Sequence, residues 1–355
     1  MNRMQRVVTR SLAAFMSLGL LSSLAACQGQ VPQVQKPGAA PAGAATSVPN
    51  LTTKQEAAIR KDIGQVLDKA NESKDPTGLD ARVTGPQLQI RTSELQIARA
   101  TGSLNPKTTI PTTIAQTVIP GDPGWPRSVF AITTTTEDQQ SKRLLVLNQE
   151  SAHENYKLWG VARLFQGAQL PKFPVDTIGA QMGTPTDEGL KATPAEAVRR
   201  YADVLQNPGS SQYAKEFAQD DFRTSMDNLT QAVQKGIEAN RGSQEQTFAP
   251  QDGEIRVMHS SEGGDLVVAQ INSVWTRRAG EGRESSPASD SEKAIFGDGK
   301  ATSTMKVTYV NVIALYIPPQ PPRTRFGRWA RNESPSRWKR SEPVRLRWVK
   351  DVRTD

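Results

Sequence analysis

Histidine is the side chain that most readily moves a proton or holds a metal ion near neutral pH. This chain has two, His153 and His259. His153 lies in the polar stretch SAHENY, and His259 ends an apolar run beside Ser260 and Ser261. Neither has a second His or a Cys at ligand spacing, so the sequence predicts no metal site, and both read as ordinary surface residues. The single cysteine, Cys27, rules out an intrachain disulfide and paired-thiol chemistry. No G-x-S-x-G elbow, P-loop or G-x-G-x-x-G fingerprint is present, and GDGK (Gly297–Lys300) lacks the acidic ladder of a calcium loop and reads as a turn. The sequence therefore assigns no catalytic residue and implies no cofactor.

Anion binding is the denser chemical signal. From Pro318 to the end there are eleven Lys or Arg residues, among them Arg323, Arg325, Arg328, Arg331, Arg337, Lys339 and Arg340. Only four acids accompany them, so the segment carries nearly all of the chain's net charge of +8. Phe326, Trp329 and Trp338 are interleaved with the cations. Such a composition suits phosphates and stacked bases, or an anionic surface with aromatics at its interface. The plainer reading is a solvated strand face followed by a polar loop. PPQPPR (Pro318–Arg323) reads as a stiff strand exit.

The start of the chain decides among these partners. Arg3, Arg6 and Arg10 precede an apolar, small-residue run from Ser11 to Ala26. That is the layout of a secretory signal over residues 1–26, and it falls short of the roughly 20 apolar residues that a spanning helix needs. Leu24-Ala25-Ala26-Cys27 resembles the bacterial lipobox. The resemblance implies cleavage before Cys27 and acylation of its sulfur and new amino group, hence anchorage on the extracytoplasmic face of the membrane. Two or more acyl chains hold a membrane stably where one does not. Residues 27–50 are rich in Pro, Gly and Ala and read as a flexible linker reaching roughly 25 Å as coil. A protein so placed meets anionic headgroups, acidic envelope polymers or another envelope protein, and no nucleic acid.

Beyond the linker, the periodicity predicts two α+β units, residues 51–171 and 193–355, joined by a linker over 172–192. In the first, Thr53 and Glu56 suggest a capping box ahead of the stripe Ile59, Ile63, Val66, Leu67 and Ala70. A short helix is expected over 92–100, then strands over 110–118, 128–135, 143–148 and 156–165. In the second, Thr193-Pro194-Ala195-Glu196 caps a helix, a longer helix is expected over 213–240, and strands over 254–259, 266–276, 302–317 and 344–352. Residues 277–300, poor in apolar side chains, read as a long mobile hairpin loop. Trp125, between two prolines, is expected to plug a sheet edge, and Trp159 to lie in the core.

The segments RVTGPQLQIRTSEL, GWPRSVFAIT, YKLWGVARLFQGAQLP and TPAEAVRRYADVL are similar to an uncharacterised family of actinobacterial lipoproteins. The helices-then-sheet order resembles the cone-shaped fold of nuclear transport factor 2 and ketosteroid isomerase, with helices packed on a curved antiparallel sheet. That fold hosts enzymes and binding modules alike. It implies one place to look for catalysis: a carboxylate and a proton donor in an apolar pocket, for which Tyr213, Asp220 and Asp221 beside Phe217 and Phe222 are the candidates. QDDF reads equally as solvated acids or a helix cap. The expected function is a membrane-anchored binding or scaffolding module, with a small-ligand carrier or enzyme using one cone interior as the alternative.

Overall fold

Thr52 caps the first helix, α1 (Thr53–Ser73): its hydroxyl accepts from the Gln55 amide at 3.2 Å, and the Gln55 side chain accepts from the Thr52 amide at 2.8 Å. The box thus sits one residue before its expected position. The reason is Glu56, which is buried and paired with Arg60 at 2.6 Å instead of reaching back to the cap. The computed structural model describes residues 48–135, 141–165 and 168–321, with strand residues 346–347 and 350–354. These all fall within one compact unit, Thr46–Asp355. The leader, Cys27, nearly all of the linker and the seven basic candidates from Arg323 to Arg340 lie outside the described residues.

Helix α2 (Gly85–Thr101) starts well before its expected position and ends at Gly102, whose φ of 90° is the left-handed cap that glycine favours. Four strands follow as an antiparallel meander: β1 (Ile114–Val118), β2 (Arg127–Thr133), β3 (Arg143–Gln149) and β4 (Lys157–Arg163). The second half comprises β5 (Met182–Gly183), α3 (Pro194–Gln206), α4 (Asp221–Glu238), β6 (Ser243–His259), β7 (Asp265–Arg278), α5 (Asp290–Phe296) and β8 (Thr304–Ile317). Two short stretches, β9 (Leu346–Arg347) and β10 (Lys350–Thr354), line the outer edge of β8 in one register. The second sheet runs β10-β8-β7-β6-β5, antiparallel throughout. Two tandem α+β units, helices ahead of strands, are what the sequence predicts.

Strands β2, β3, β4, β7 and β8 are buried on both faces. In β2, Phe130 and Ile132 point into one core, and Val129 and Ala131 into another. The first core also holds Leu144 and Val146 of β3, and Met258, Leu266, Val268, Val310, Val312 and Ala314 of the second sheet. The second joins the first sheet to Ile63, Leu67, Ala70 and Leu95 of α1 and α2. On the far side, Val267, Ala269, Ile271, Ile313 and Leu315 pack under Val198, Tyr201, Ala202 and Phe222 of α3 and α4. The layers are therefore helices, sheet, sheet, helices.

Among the described residues, the sheet-to-sheet core contains seventeen buried side chains. At about 1.5–3 kcal/mol for each large apolar side chain, parting the sheets would cost more than the whole net stability of a typical domain. Segment 172–192, expected as a linker, is correspondingly packed. Phe173 and Ala180 enter the shared core, Leu190 enters the core beneath α3, and the backbone of Ala180 bridges to Pro120. Gly160 of β4 faces Val312 across the interface so closely that a Cβ there would lie 3.3 Å from Val312 Cγ1.

Candidate functional site

Asp220, Asp221 and Tyr213 do not converge. Asp220 is the N-cap of α4, accepting from the Arg223 amide at 2.8 Å and from Arg223 Nε at 2.7 Å. Burial pushes its carboxyl above the usual range, against the opposing pull of Arg223. The phenol that reaches it is that of Tyr201, 3.4 Å away and buried, whose own pKa burial raises far above normal. Asp221 is exposed in the first helical turn. Tyr213 lies under the Arg200 guanidinium, 5.2 Å from ring centre to Cζ. The trio expected from the cone resemblance is thus corrected to a buried helix cap, an exposed acid and a half-buried ring.

Between α4 and the second sheet lies a small cleft walled by Phe222, Met226, Leu229, Gln246, Ser273, Trp275, Tyr309 and Asn311. It has room for about one water molecule. Its polar atoms are already engaged: Trp275 Nε1 donates to Gln244 at 3.0 Å, Asn311 Nδ2 to the Ile271 carbonyl at 2.9 Å, and the Tyr309 hydroxyl to Glu292 at 2.6 Å. Glu292 belongs to the segment expected as a mobile loop. That segment instead folds into α5 and pins itself to the sheet. Arg277 and Glu292, both buried, pair at 2.5 Å, and the Ala288 amide donates to the same carboxylate at 2.7 Å. Burial acts to raise the Glu292 pKa, and the bonds from Arg277 and Tyr309 outweigh it, leaving the carboxyl below its usual value.

A third place has no forerunner in the sequence motifs. His259 ends β6 and Asp265 begins β7, directly opposite one another across a five-residue hairpin. The hairpin turns through Gly263 at φ +83°. Facing across the strands, His259 Nδ1 lies 2.6 Å from Asp265 Oδ1. The other ring nitrogen, Nε2, lies 3.7 Å from Asp187 Oδ2. Asp187 is held in turn by the Thr184 amide at 2.8 Å and the Thr184 hydroxyl at 2.5 Å. Asp122, from the first half, accepts from the Met182 amide at 2.7 Å and adds its negative field to the ring. The bond to Asp265 raises the His259 pKa, burial opposes it, and the three carboxylates reinforce it. Asp265 itself is almost wholly buried, and its Oδ2 has no partner among the described residues. Gly183 makes room for the group: a Cβ there would overlap Asp187 Oδ2 and approach His259 Cε1 to 3.1 Å.

Asp187, His259 and Asp265 each bring one potential ligand atom within 4.8 Å of the others. Sequence spacing assigns them no such role, because the separation of His and Asp gains meaning only once the hairpin register is known. His153, by contrast, is an exposed turn residue, as expected. Trp159 is in the core, as expected, with its Nε1 donating to Glu254 at 2.5 Å and Arg256 stacked 4.7 Å from its ring. Trp125 does not plug a sheet edge: it is 43% exposed, with Arg127 lying 4.0 Å over its ring.

Neither the curated proteins nor the solved structures contain a match to this chain. Residues 47–330 match a family model described as a domain of unknown function, DUF8094. That span runs from α1 through β8 and includes every residue of the three places described above, so the chain belongs to the DUF8094 family.

Proposed function

We propose that this chain is a lipoprotein anchored through Cys27 on the extracytoplasmic face of the membrane, serving as a binding or scaffolding module of the cell envelope without catalysis of its own. The observation that carries the reading is Leu24-Ala25-Ala26-Cys27, the sole thiol, directly behind a basic and then apolar leader. The packed body supports it. Phe, Leu, Trp and Tyr side chains fill the helix-to-sheet cores, and the cleft beside α4 holds little more than a water. A carrier or enzyme of the cone type needs an open interior, and these cores favour surface recognition instead. The basic residues Arg323, Arg325, Arg328, Arg331, Arg337, Lys339 and Arg340 suit anionic headgroups or envelope polymers at the end of a short tether.

Metabolic labelling with an alkyne fatty acid tests the anchor. The wild-type chain should take up the label and sediment with membranes, and Cys27→Ser should lose the label and appear in the soluble fraction. A labelled Cys27→Ser chain, or an unlabelled wild type, would overturn the reading.

A further inference from the structure

The geometry points to a divalent transition-metal site at His259 and Asp187, with Asp265 as the buried carboxylate that orients the imidazole. The placement of Asp265 carries the inference. Its Oδ1 is 2.6 Å from His259 Nδ1, a hydrogen-bond distance and too short for two ligands of one ion. In the neutral ring this places the proton on Nδ1, so that a metal ion displacing the proton from Nε2 meets a lone pair there, the arrangement in which a carboxylate supports a metal-bound histidine. Nε2 then lies 3.7 Å from Asp187 Oδ2. Two ligand atoms bound to one ion at about 2.0–2.2 Å in tetrahedral geometry are separated by roughly 3.5 Å, so the pair is spaced to share an ion.

A second observation also points to a cation. Asp265 is 1% exposed, and its second oxygen has no donor among the described residues. A buried carboxylate oxygen without a partner carries a large desolvation cost that nearby positive charge offsets. His259 itself is only half-buried, its side chain 38% exposed. Gly183 clears the space in front of the two ligands, and Asp122 contributes negative charge from the other half of the molecule. One imidazole nitrogen with carboxylate oxygens suits Zn²⁺ or Mn²⁺ better than the all-oxygen preference of Ca²⁺ or Mg²⁺. The open coordination positions fall to water or to a donor from a partner.

The full chain, purified in detergent and stripped with chelator, can be titrated with Zn²⁺ against a fluorescent zinc indicator. One equivalent should bind, and Ca²⁺ or Mg²⁺ at equal concentration should not displace it. His259→Gln and Asp187→Asn should each weaken binding at least tenfold. Asp265→Asn should weaken it by about 10–100-fold through the ring it orients. His153→Gln should leave the affinity unchanged. Circular dichroism checks that each variant is folded. Because Asp265 is buried and its variant is the one most at risk, histidine-ring NMR of the wild type supplies an arm free of mutation. With two histidines in the chain, Zn²⁺ should shift one imidazole and leave the other in place. Absence of one-equivalent binding, undiminished binding by His259→Gln, equal displacement by Ca²⁺, or zinc-induced shifts in neither ring or in both would each overturn the assignment.

Discussion

Glu292 accepts from Arg277, the Tyr309 hydroxyl and the Ala288 amide, so one carboxylate fastens α5, its preceding loop and two strands. Removing its charge leaves Arg277 buried beside a neutral group. Breaking a buried pair in this way typically costs about 3–5 kcal/mol. Glu292→Gln should therefore lower the denaturant midpoint by an equivalent amount and open residues 279–300 to limited proteolysis. If cleavage and midpoint stay at wild-type values, the carboxylate is not what holds the segment. Little of this is legible in the sequence, because Glu292 sits in a run of Gly, Ser, Glu and Asp that reads as solvated loop. The same holds for His259 and Asp265. Six residues apart, they say nothing until β6 and β7 are aligned, whereas the burial of Trp159 follows from its strand context.

At the scale of elements, the signals that hold are those written locally. Thr193 and Pro194 start α3 where capping chemistry places them, and the Thr193 hydroxyl accepts from the Glu196 amide. Helix α2 extends beyond its expected span because its buried face mixes polar with apolar residues: Gln87, Arg91, Ser93 and Glu94 are buried beside Ile90, Leu95 and Ala98, and apolar periodicity does not register the polar ones. Arg91 and Glu94 pair at 2.8 Å within that face. Burial pushes the Glu94 carboxyl up to about 7, with Arg91 pulling the other way. An acid whose folded pKa lies above its unfolded value near 4.5 favours the folded state in its protonated form. That contribution is complete below about pH 4.5 and disappears as pH rises through 7. It amounts to a few kcal/mol at most, since a tenfold change in proton affinity is worth about 1.4 kcal/mol. Urea unfolding at pH 5 and pH 8 should show this loss, and Glu94→Gln should flatten it. An unchanged pH slope in the variant would assign the effect elsewhere.

At the scale of the whole molecule, the two units are legible in the sequence and their union is not. Runs such as VFAI and LLVL signal strands buried on both sides, yet nothing in one sequence names what covers the second face. Each sheet covers the other, so the halves should melt together. Calorimetry should give one cooperative transition. Gly160→Val, which forces a branched side chain against Val312, should lower that single midpoint by several degrees. Two separable transitions would contradict a shared core. A last consequence follows from the length of β6. It spans seventeen residues, but β5 covers only Val257 and Met258 of its outer side. An edge of that length could template another chain. Instead it carries Pro250 and a register shift between Pro250 and Ile255, with Glu245 and Asp252 exposed along it. The open margin is therefore armoured against strand addition, so copies of this chain can crowd together at high local concentration without polymerising through their sheets.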